Sequence, residues 1–284
     1  MRLFDQYVHG LIDRRGFLHG AARFATGAAG AAGLLAALSP QFAAAQQVRP
    51  DDERLSTRTL PFESPRGYGK ARGYLARPAK AEGALPVVLV VHENRGLNPH
   101  IEDIARRLAL QGFIAFAPDA LFPLGGYPGD EDAARALFAK LDQEKSRADF
   151  LAATDLLLTL EGGNGRLGVV GFCYGGAIAN FLATRVPVLK AAVPFYGGAP
   201  ETADVSNIQA ELLVVLAADD ERVNAGWPAY EAALKASKVT YTLLQPPGTQ
   251  HGFNNDTTPR YDQAAAAEAW KQTLALFERT LRPA

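Results

Sequence analysis

A single cysteine lies between a strand-like and a helix-like segment. The apolar run Leu167–Val170 precedes the turn Gly171-Phe172-Cys173-Tyr174-Gly175-Gly176, and Ala177–Leu182 favours a helix. Glycines on both sides of Cys173 permit a sharp turn, because a Cβ on either flank would clash. Backbone N–H groups and the dipole at a helix N-terminus favour an anion there. This pattern predicts nucleophilic chemistry by a thiolate.

Two further segments supply the partners that such a nucleophile needs. Asp219 and Asp220 follow the apolar run Leu212–Leu216, and His251 follows the last strand-like segment and its loop. An imidazole can accept the thiol proton, and a carboxylate can hold the imidazole in the required tautomer. We expect His251 to be the general base and Asp220 to orient it, with Asp219 as the alternative. The order nucleophile, acid, histidine is typical of the α/β-hydrolase fold, whose usual Gly-x-Ser-x-Gly turn here carries cysteine.

The loop His92-Glu93-Asn94-Arg95-Gly96 follows a continuous apolar run, which predicts a strand buried on both faces. In the α/β-hydrolase fold this loop supplies one oxyanion-hole N–H, and the residue after the nucleophile supplies the other. The expected donors are the backbone N–H groups of Asn94 and Tyr174. Because a nearby carboxylate raises the pKa of a thiol, Glu93 is interpreted as controlling the ionisation of Cys173. The simpler interpretation of Glu93 is a surface residue in a polar loop.

The remaining chain alternates strand-like and helix-like segments. This predicts one doubly wound domain with a mostly parallel sheet. Strands are expected at 58–62, 70–77, 86–91, 113–117, 189–196, 211–217 and 239–244, and helices at 99–110, 131–160, 225–236 and 262–281. The helix at 131–160 is expected to break near Gln143–Arg147, and the polar residues 46–57 predict a mobile lead-in.

Composition excludes several classes of function. The chain has 284 residues, is 48% hydrophobic and 21% charged, and carries a net charge of −1. This balance gives no electrostatic case for binding nucleic acid or an anionic membrane. The histidines and acidic residues lie apart rather than at metal-ligand spacing, so no metal or other cofactor is expected.

Residues 1–45 have the organisation of an export signal. The pair Arg14-Arg15 is followed by an Ala/Gly/Leu stretch over 21–38, and Ala43-Ala44-Ala45 offers a small-x-small cleavage site. The paired arginines indicate the bacterial Tat machinery, which predicts a periplasmic or secreted domain of residues 46–284 with no membrane span. The alternative is a retained N-terminal anchor, although the stretch is only weakly hydrophobic.

Four motifs together resemble the dienelactone hydrolases (carboxymethylenebutenolidases) over roughly residues 60–282. They are Val91-His92-Glu93-Asn94-Arg95-Gly96-Leu97, Gly171-Phe172-Cys173-Tyr174-Gly175-Gly176, Asp220-Glu221-Arg222-Val223 and His251-Gly252-Phe253. The resemblance implies a Cys-His-Asp triad that opens a cyclic enol-lactone to maleylacetate. It also implies that Glu93 interacts with the thiol and that substrate binding releases the thiolate.

The resemblance also implies arginines that bind a substrate carboxylate, one of them shortly after the catalytic histidine. Here Gly252-Phe253-Asn254-Asn255 follow His251, and the next arginine is Arg260. Arg135 is a candidate for the other arginine, with a solvated helix charge as its alternative. Tyr127 and Tyr196 are further candidates to line the substrate site, or else they serve in packing.

Three functions are therefore open. The first is hydrolysis of small-molecule lactones or carboxylic esters through an acyl-enzyme on Cys173. The second is a thiol-dependent acyltransferase or peptidase on the same fold. The third is a non-catalytic binding protein. The presence of a nucleophile, an acid and a histidine in the expected loops favours the first.

Overall fold

One eight-stranded sheet organises the computed structural model, which describes residues 2–8, 11–23, 30, 33–34, 37 and 41–282. The strands are β1 (Leu55–Ser64), β2 (Gly69–Pro78), β3 (Leu85–Val91), β4 (Ile114–Pro118), β5 (Gly163–Phe172), β6 (Ala191–Phe195), β7 (Glu211–Val215) and β8 (Tyr241–Leu244). Their order is β1-β2-β4-β3-β5-β6-β7-β8. The pairs β1–β2 and β2–β4 are antiparallel, and the other pairs are parallel. The predicted α/β fold with a mostly parallel sheet is confirmed.

Helices cover both faces of this sheet. They are α1 (Arg2–Val8), α2 (Arg14–Ala21), α3 (Phe42–Ala45), α4 (Pro99–Leu110), α5 (Glu131–Phe138), α6 (Gln143–Leu158), α7 (Tyr174–Arg185), α8 (Glu221–Asn224), α9 (Trp227–Ala236) and α10 (Gln263–Leu281). Helices α6 and α7 contribute to the apolar core on one face, and α4 and α10 contribute to the core on the other. Strands β3, β4 and β6 are therefore buried along their whole length, as the continuous apolar runs indicate.

The long helix predicted over 131–160 breaks earlier than expected. Helix α5 ends at Phe138 and α6 begins at Gln143. The carboxylate of Asp142 accepts hydrogen bonds from the N–H groups of Glu144 and Lys145, at 3.0 and 3.2 Å, and so caps α6. The predicted break is confirmed, but it lies at 139–142, just before Gln143–Arg147, because the N-cap Asp142 starts a new helix at Gln143.

The lead-in segment is bound to the domain, so its predicted mobility was wrong. The backbone N–H groups of Gln47 and Val48 donate to the Asp103 carboxylate at 3.1 and 2.8 Å, and Arg106 donates to the carbonyl of Val48 at 2.9 Å. Strand β1 then begins at Leu55. The partners Asp103 and Arg106 lie on α4, about 55 residues further along the chain, so the local sequence does not indicate these contacts.

The described helices include none whose length and apolar character would carry it across a bilayer. Most of the apolar stretch at 21–38 lies outside the described residues, so its interpretation as part of an export signal stays a prediction. Helices α1 and α2 pack together through the buried side chains of Phe4, Tyr7 and Phe17.

The turn between β5 and α7 depends on the absence of Cβ atoms. A Cβ on Gly171 would lie 2.0 Å from the carbonyl oxygen of Gly175, and one on Gly175 would lie 2.2 Å from that of Val91. Cys173 itself has φ 56° and ψ −111°, in the positive-φ region that side chains rarely adopt. Backbone contact on both sides therefore holds Cys173 in this conformation.

We expect Gly171→Ala to lower the free energy of unfolding by at least about 2 kcal/mol, because the added methyl group meets backbone that cannot move aside. Guanidinium unfolding followed by circular dichroism measures the change. Gly198→Ala is the matched control, since its Cβ would meet nothing closer than 4.0 Å. Equal stability of the two variants would contradict this account of the turn.

Candidate active site

The predicted site residues lie at the carboxyl edge of the sheet, on loops that follow β3, β5, β7 and β8. Strands β3 and β5 are parallel neighbours, so the 92–96 loop lies beside the turn that carries Cys173. The loops after β7 and β8 are joined by a bridge between Asp219 and Gln250. The order of the strands therefore brings together four loops that are far apart along the chain.

Cys173 is a half-buried residue and lies where Tyr174 begins helix α7. Burial by surrounding protein raises the pKa of this thiol to about 12, and the charge of Glu93 adds to the effect. The positive charge of Arg222 and the backbone N–H of Tyr174 act in the opposite direction. At neutral pH the resting group is the thiol, so thiolate formation needs a base or a change in these surroundings.

His251 and Asp220 form a buried pair. The Nδ1 atom of His251 lies 2.5 Å from Oδ2 of Asp220, and the two side chains are about 4–5% exposed. Burial opposes ionisation of Asp220, but contact with His251 outweighs it and lowers the pKa of the carboxyl group. Asp219, the alternative acid, instead donates its backbone N–H to the carbonyl of Thr249 at 2.9 Å. The carboxylate in contact with His251 is thus that of Asp220.

Glu93 is half-buried and has a partner that the sequence analysis missed. The Nδ2 group of Asn255 donates to Oε2 of Glu93 at 2.9 Å. Burial raises the pKa of both Cys173 and Tyr196, and the charge of Glu93 adds to the effect on each. Asn255 lies four residues after His251, but nothing in the local sequence indicates which loop it contacts.

His92 fixes the loop that carries Glu93. Its fully buried ring places Nδ1 2.6 Å from the carbonyl oxygen of Glu93, and its Nε2 accepts the N–H of Ala120 at 3.2 Å. These two contacts identify the neutral tautomer with the proton on Nδ1. Burial lowers the pKa of His92, which also favours the neutral form. His92 is thus a structural support of the 92–96 loop.

The two predicted oxyanion-hole residues lie on adjoining segments. Tyr174 is the first residue of α7, and Asn94 lies in the loop after β3. A Cβ on Gly175 would lie 2.7 Å from the carbonyl oxygen of His92, which shows how closely the loop approaches the turn. The ring of Tyr174 stacks on that of His92 at 6.2 Å. The start of the 92–96 loop, at His92, therefore lies against the turn that carries Cys173.

Arg135 and Tyr127 lie around helix α5. Arg135 forms an ion pair with Asp132 at 3.3 Å, lies 4.1 Å from the ring centroid of Tyr7 and donates to the Tyr7 carbonyl. The hydroxyl of Tyr127 donates to Glu131 at 2.8 Å. Both predicted substrate contacts are therefore engaged by α5 or by α1 in this structure.

Tyr196 and Arg260 lie against the loop that carries His251. Tyr196 is buried with φ 36°, and its ring centroid is 4.9 Å from that of His251. Arg260 folds back on the histidine loop, since a Cβ on Gly252 would lie 3.2 Å from its Nη2. Burial dominates and raises the pKa of Cys173, and the charge of Arg260 acts weakly in the opposite direction. The arginine that the sequence places nine residues after His251 thus returns to the site.

A buried ion network holds the far end of the histidine loop. Asp256 contacts Arg107 at 2.6 Å and His100 at 3.2 Å, and Arg107 also pairs with Asp103 on α4. Burial opposes ionisation of Asp256, but these partners outweigh it and lower the pKa of Asp256 to about 2. The network anchors residues 251–257 to α4. Across the part of the chain that the structure describes, no group of three or more His, Cys, Asp or Glu side chains is arranged to hold a metal.

Comparison with known proteins identifies the family of this chain. A model of the dienelactone hydrolase family matches residues 71–281, and a second model, YqhI-like, matches residues 1–26. The chain therefore belongs to the dienelactone hydrolase family, and it is a hydrolase that acts on esters or lactones.

Individual relatives match different shares of the chain. A "Putative carboxymethylenebutenolidase" of Salmonella typhi is 34% identical over 219 residues, which cover 72% of this chain and 81% of the relative. The "Putative hydrolase fragment YghX" of Escherichia coli (strain K12) is 51% identical over 105 residues, covering 37% of this chain and 90% of the fragment. The crystal structure of a "Putative Dienelactone Hydrolase" from Klebsiella pneumoniae has a TM-score of 0.69 and 30% identity, covering 79% of this chain and 99% of the other.

We expect Asp256→Asn to lower the free energy of unfolding at pH 7 by about 2 kcal/mol, because the folded state depresses the pKa of this carboxyl group to about 2. A carboxyl group whose pKa is lower in the folded state stabilises the protein at pH values above its ordinary pKa, near 4 for aspartate. This stabilisation is lost as the pH falls toward the folded-state pKa of about 2. The difference from the unmodified protein should therefore shrink at pH 3.

Urea unfolding at both pH values measures this difference, and the exposed Asp155→Asn serves as the control. A deficit of equal size at pH 7 and pH 3 would show that the loss does not come from the ionised carboxylate.

Proposed function

We propose that this protein hydrolyses lactones or small carboxylic esters through Cys173 as nucleophile, His251 as general base and Asp220 as the orienting acid. The observation that carries the proposal is the buried contact of 2.5 Å between His251 and Asp220, on the loops beside the strained Cys173 turn. With Nδ1 bound to a carboxylate, a neutral imidazole has Nε2 as its proton acceptor.

The proposed reaction proceeds in two stages. His251 takes the thiol proton while the sulfur of Cys173 attacks the carbonyl carbon, and the N–H groups of Asn94 and Tyr174 stabilise the oxyanion. The oxyanion collapses, the C–O bond to the leaving alcohol breaks, and His251 returns the proton to that oxygen. A water molecule, deprotonated by His251, then attacks the thioester and releases the carboxylic acid and the thiol.

Glu93 opposes the first step in the resting protein. Its negative charge disfavours the thiolate, on top of the effect of burial. A bound substrate that displaces this carboxylate, or that brings its own polar groups into the site, would relieve the effect. We infer that Glu93 keeps the resting thiol protonated and that substrate binding activates it.

The charge near the nucleophile also suggests a class of substrate. The positive charges of Arg222 and Arg260 act on the thiol of Cys173, and Arg260 lies against the histidine loop. We propose Arg260 as the arginine that binds an acidic group of the substrate, in place of an arginine immediately after His251. An anionic lactone is the substrate class that fits this placement.

Replacing the nucleophile tests the proposed mechanism. We expect Cys173→Ala to lower hydrolysis of a panel of p-nitrophenyl esters and lactones, dienelactone included, by at least about a thousandfold, since loss of a nucleophile removes the covalent path. Spectrophotometric rates measure it, with Asp219→Asn as a control on the neighbouring acid. Unchanged hydrolysis in Cys173→Ala would refute the role of the thiol. Acyl transfer to an added amine, or binding without turnover, would favour the acyltransferase or the binding protein.

Replacing Glu93 tests its effect on the thiol. We expect Glu93→Gln to move the alkylation profile of Cys173 to lower pH, because removing the negative charge lowers the thiol pKa, although burial still holds it above its usual range. Iodoacetamide alkylation against pH, followed by mass spectrometry, gives the profile. An unshifted alkylation profile would show that Glu93 does not control the ionisation of Cys173.

We also propose that residues 1–45 export the protein through the Tat machinery to the periplasm or beyond the cell. The pair Arg14-Arg15 within Asp13-Arg14-Arg15-Gly16-Phe17-Leu18 supports the proposal. We expect the double substitution Arg14→Lys and Arg15→Lys to leave the protein in the cytoplasm, because a Tat signal requires the arginine pair. Fractionation of a bacterial host shows the distribution, with Arg23→Lys as the control. Equal export of both proteins would contradict the proposal.

A further inference from the structure

The histidine loop carries a further buried polar side chain, that of Asn255, which is 5% exposed. Its Oδ1 accepts hydrogen bonds from the backbone N–H and the hydroxyl of Thr257, at 3.1 and 2.6 Å. Its backbone N–H donates to the carbonyl of Gly252 at 2.9 Å. These contacts fix the orientation of the amide, because the oxygen faces two donors and the Nδ2 group must face the carboxylate of Glu93.

The hydrogen bond from Asn255 to Glu93 joins the loop of the proposed base to the loop beside the nucleophile. A carboxylate that is partly removed from water needs a donor, since an unpaired buried charge is costly. We propose that Asn255 is a positioning residue, which holds the Glu93 carboxylate beside Cys173 and so keeps the resting thiol unreactive. The proposal extends the function proposed above and rests on it for the catalytic role of the thiol.

The choice of an amide has a physical consequence. Asn255 donates a hydrogen bond but carries no charge, so the full negative charge of Glu93 still acts on Cys173. An arginine in this position would hold the carboxylate and also cancel its effect on the thiol. Asn255 therefore positions the carboxylate without weakening its effect on the thiol.

Other charged and titratable groups surround the two side chains. The groups that interact electrostatically with Cys173 are Glu93, Arg95, Tyr196, Arg222 and Arg260, and His251 is its proposed base. The groups that interact electrostatically with Glu93 are His92, Arg95, Glu131, Tyr196 and Cys173. Arg95 itself pairs with Glu131 at 3.5 Å. If loss of Asn255 shifts the pH profile of Cys173 alkylation, the experiment must therefore show that the shift acts through Glu93 rather than through these neighbours.

The test measures the thiol directly in the full-length protein. Iodoacetamide alkylation of Cys173 is followed against pH in four forms: unmodified, Asn255→Ala, Glu93→Gln, and the double variant. We expect Asn255→Ala to raise alkylation at pH 7 by about tenfold, equivalent to about one pKa unit, because the released carboxylate moves toward water and away from the thiol. In the Glu93→Gln background, the same substitution should change the rate by less than about twofold.

Thr258→Ala is the matched control. Its hydroxyl donates to the backbone carbonyl of Asn255 at 3.2 Å, so the variant perturbs the same loop while leaving the bond to Glu93 intact. We expect its alkylation profile to match that of the unmodified protein. An unshifted profile in Asn255→Ala, or an equal shift with and without Glu93, would overturn the proposal, because Asn255 would then only support the loop.

A second variant covers a failure of Asn255→Ala to fold. Thr257→Val removes the shorter of the hydrogen bonds that orient the Asn255 amide, and it should shift the profile in the same direction by a smaller amount. No shift in that folded variant would count against the proposal. Alkylation measures the reactivity of the Cys173 thiol without any turnover of substrate. The outcome for Asn255 is therefore separate from that of Cys173→Ala, which alone decides whether the thiol catalyses hydrolysis.

Discussion

Close backbone contact at the turn between β5 and α7 is the constraint on which the site depends. Because residues 171 and 175 are glycines, the start of α7 approaches the backbone of β5 and the end of β3 too closely for any Cβ to fit between them. Cys173 is held at positive φ as a result. This places the thiol above the sheet edge and at the start of a helix. Since β3 and β5 are neighbours, the same contact brings the 92–96 loop against the turn. The site is thus a consequence of backbone packing before any side-chain chemistry is considered.

The electrostatics of the site divide into two opposing effects. Burial and the charge of Glu93 keep the proton on the thiol, whereas Arg222 and Arg260 favour the thiolate. In the proposed mechanism, the His251–Asp220 pair removes the proton. A nucleophile that is neutral at rest and has a base nearby is protected from reaction until a substrate changes the balance. This arrangement suits a lone cysteine in an oxidising compartment, where we propose that the protein works.

Much of this could be predicted from the sequence, because the strongest signals were local. The apolar run of β3, the glycines around Cys173 and the position of His251 each identify an element and its end. The contacts that could not be predicted join distant segments: Asn255 to Glu93, Asp256 to α4, and residues 47–48 to Asp103. The position of Arg260 could not be predicted for the same reason, because its separation from His251 along the chain gives no sign that its side chain lies against Gly252. The capping role of Asp142 is a local signal that the sequence analysis missed.

The central claim is that the acyl group passes through the sulfur of Cys173, and the covalent intermediate tests it most directly. The protein is mixed with an ester or lactone, quenched in acid during turnover, and analysed by intact mass and by peptide mapping. The account predicts a mass increase equal to one acyl group, located on the peptide that contains Cys173 and sensitive to hydroxylamine. Turnover without an adduct on that peptide, or an adduct on another residue that disappears at the rate of product release, would contradict it.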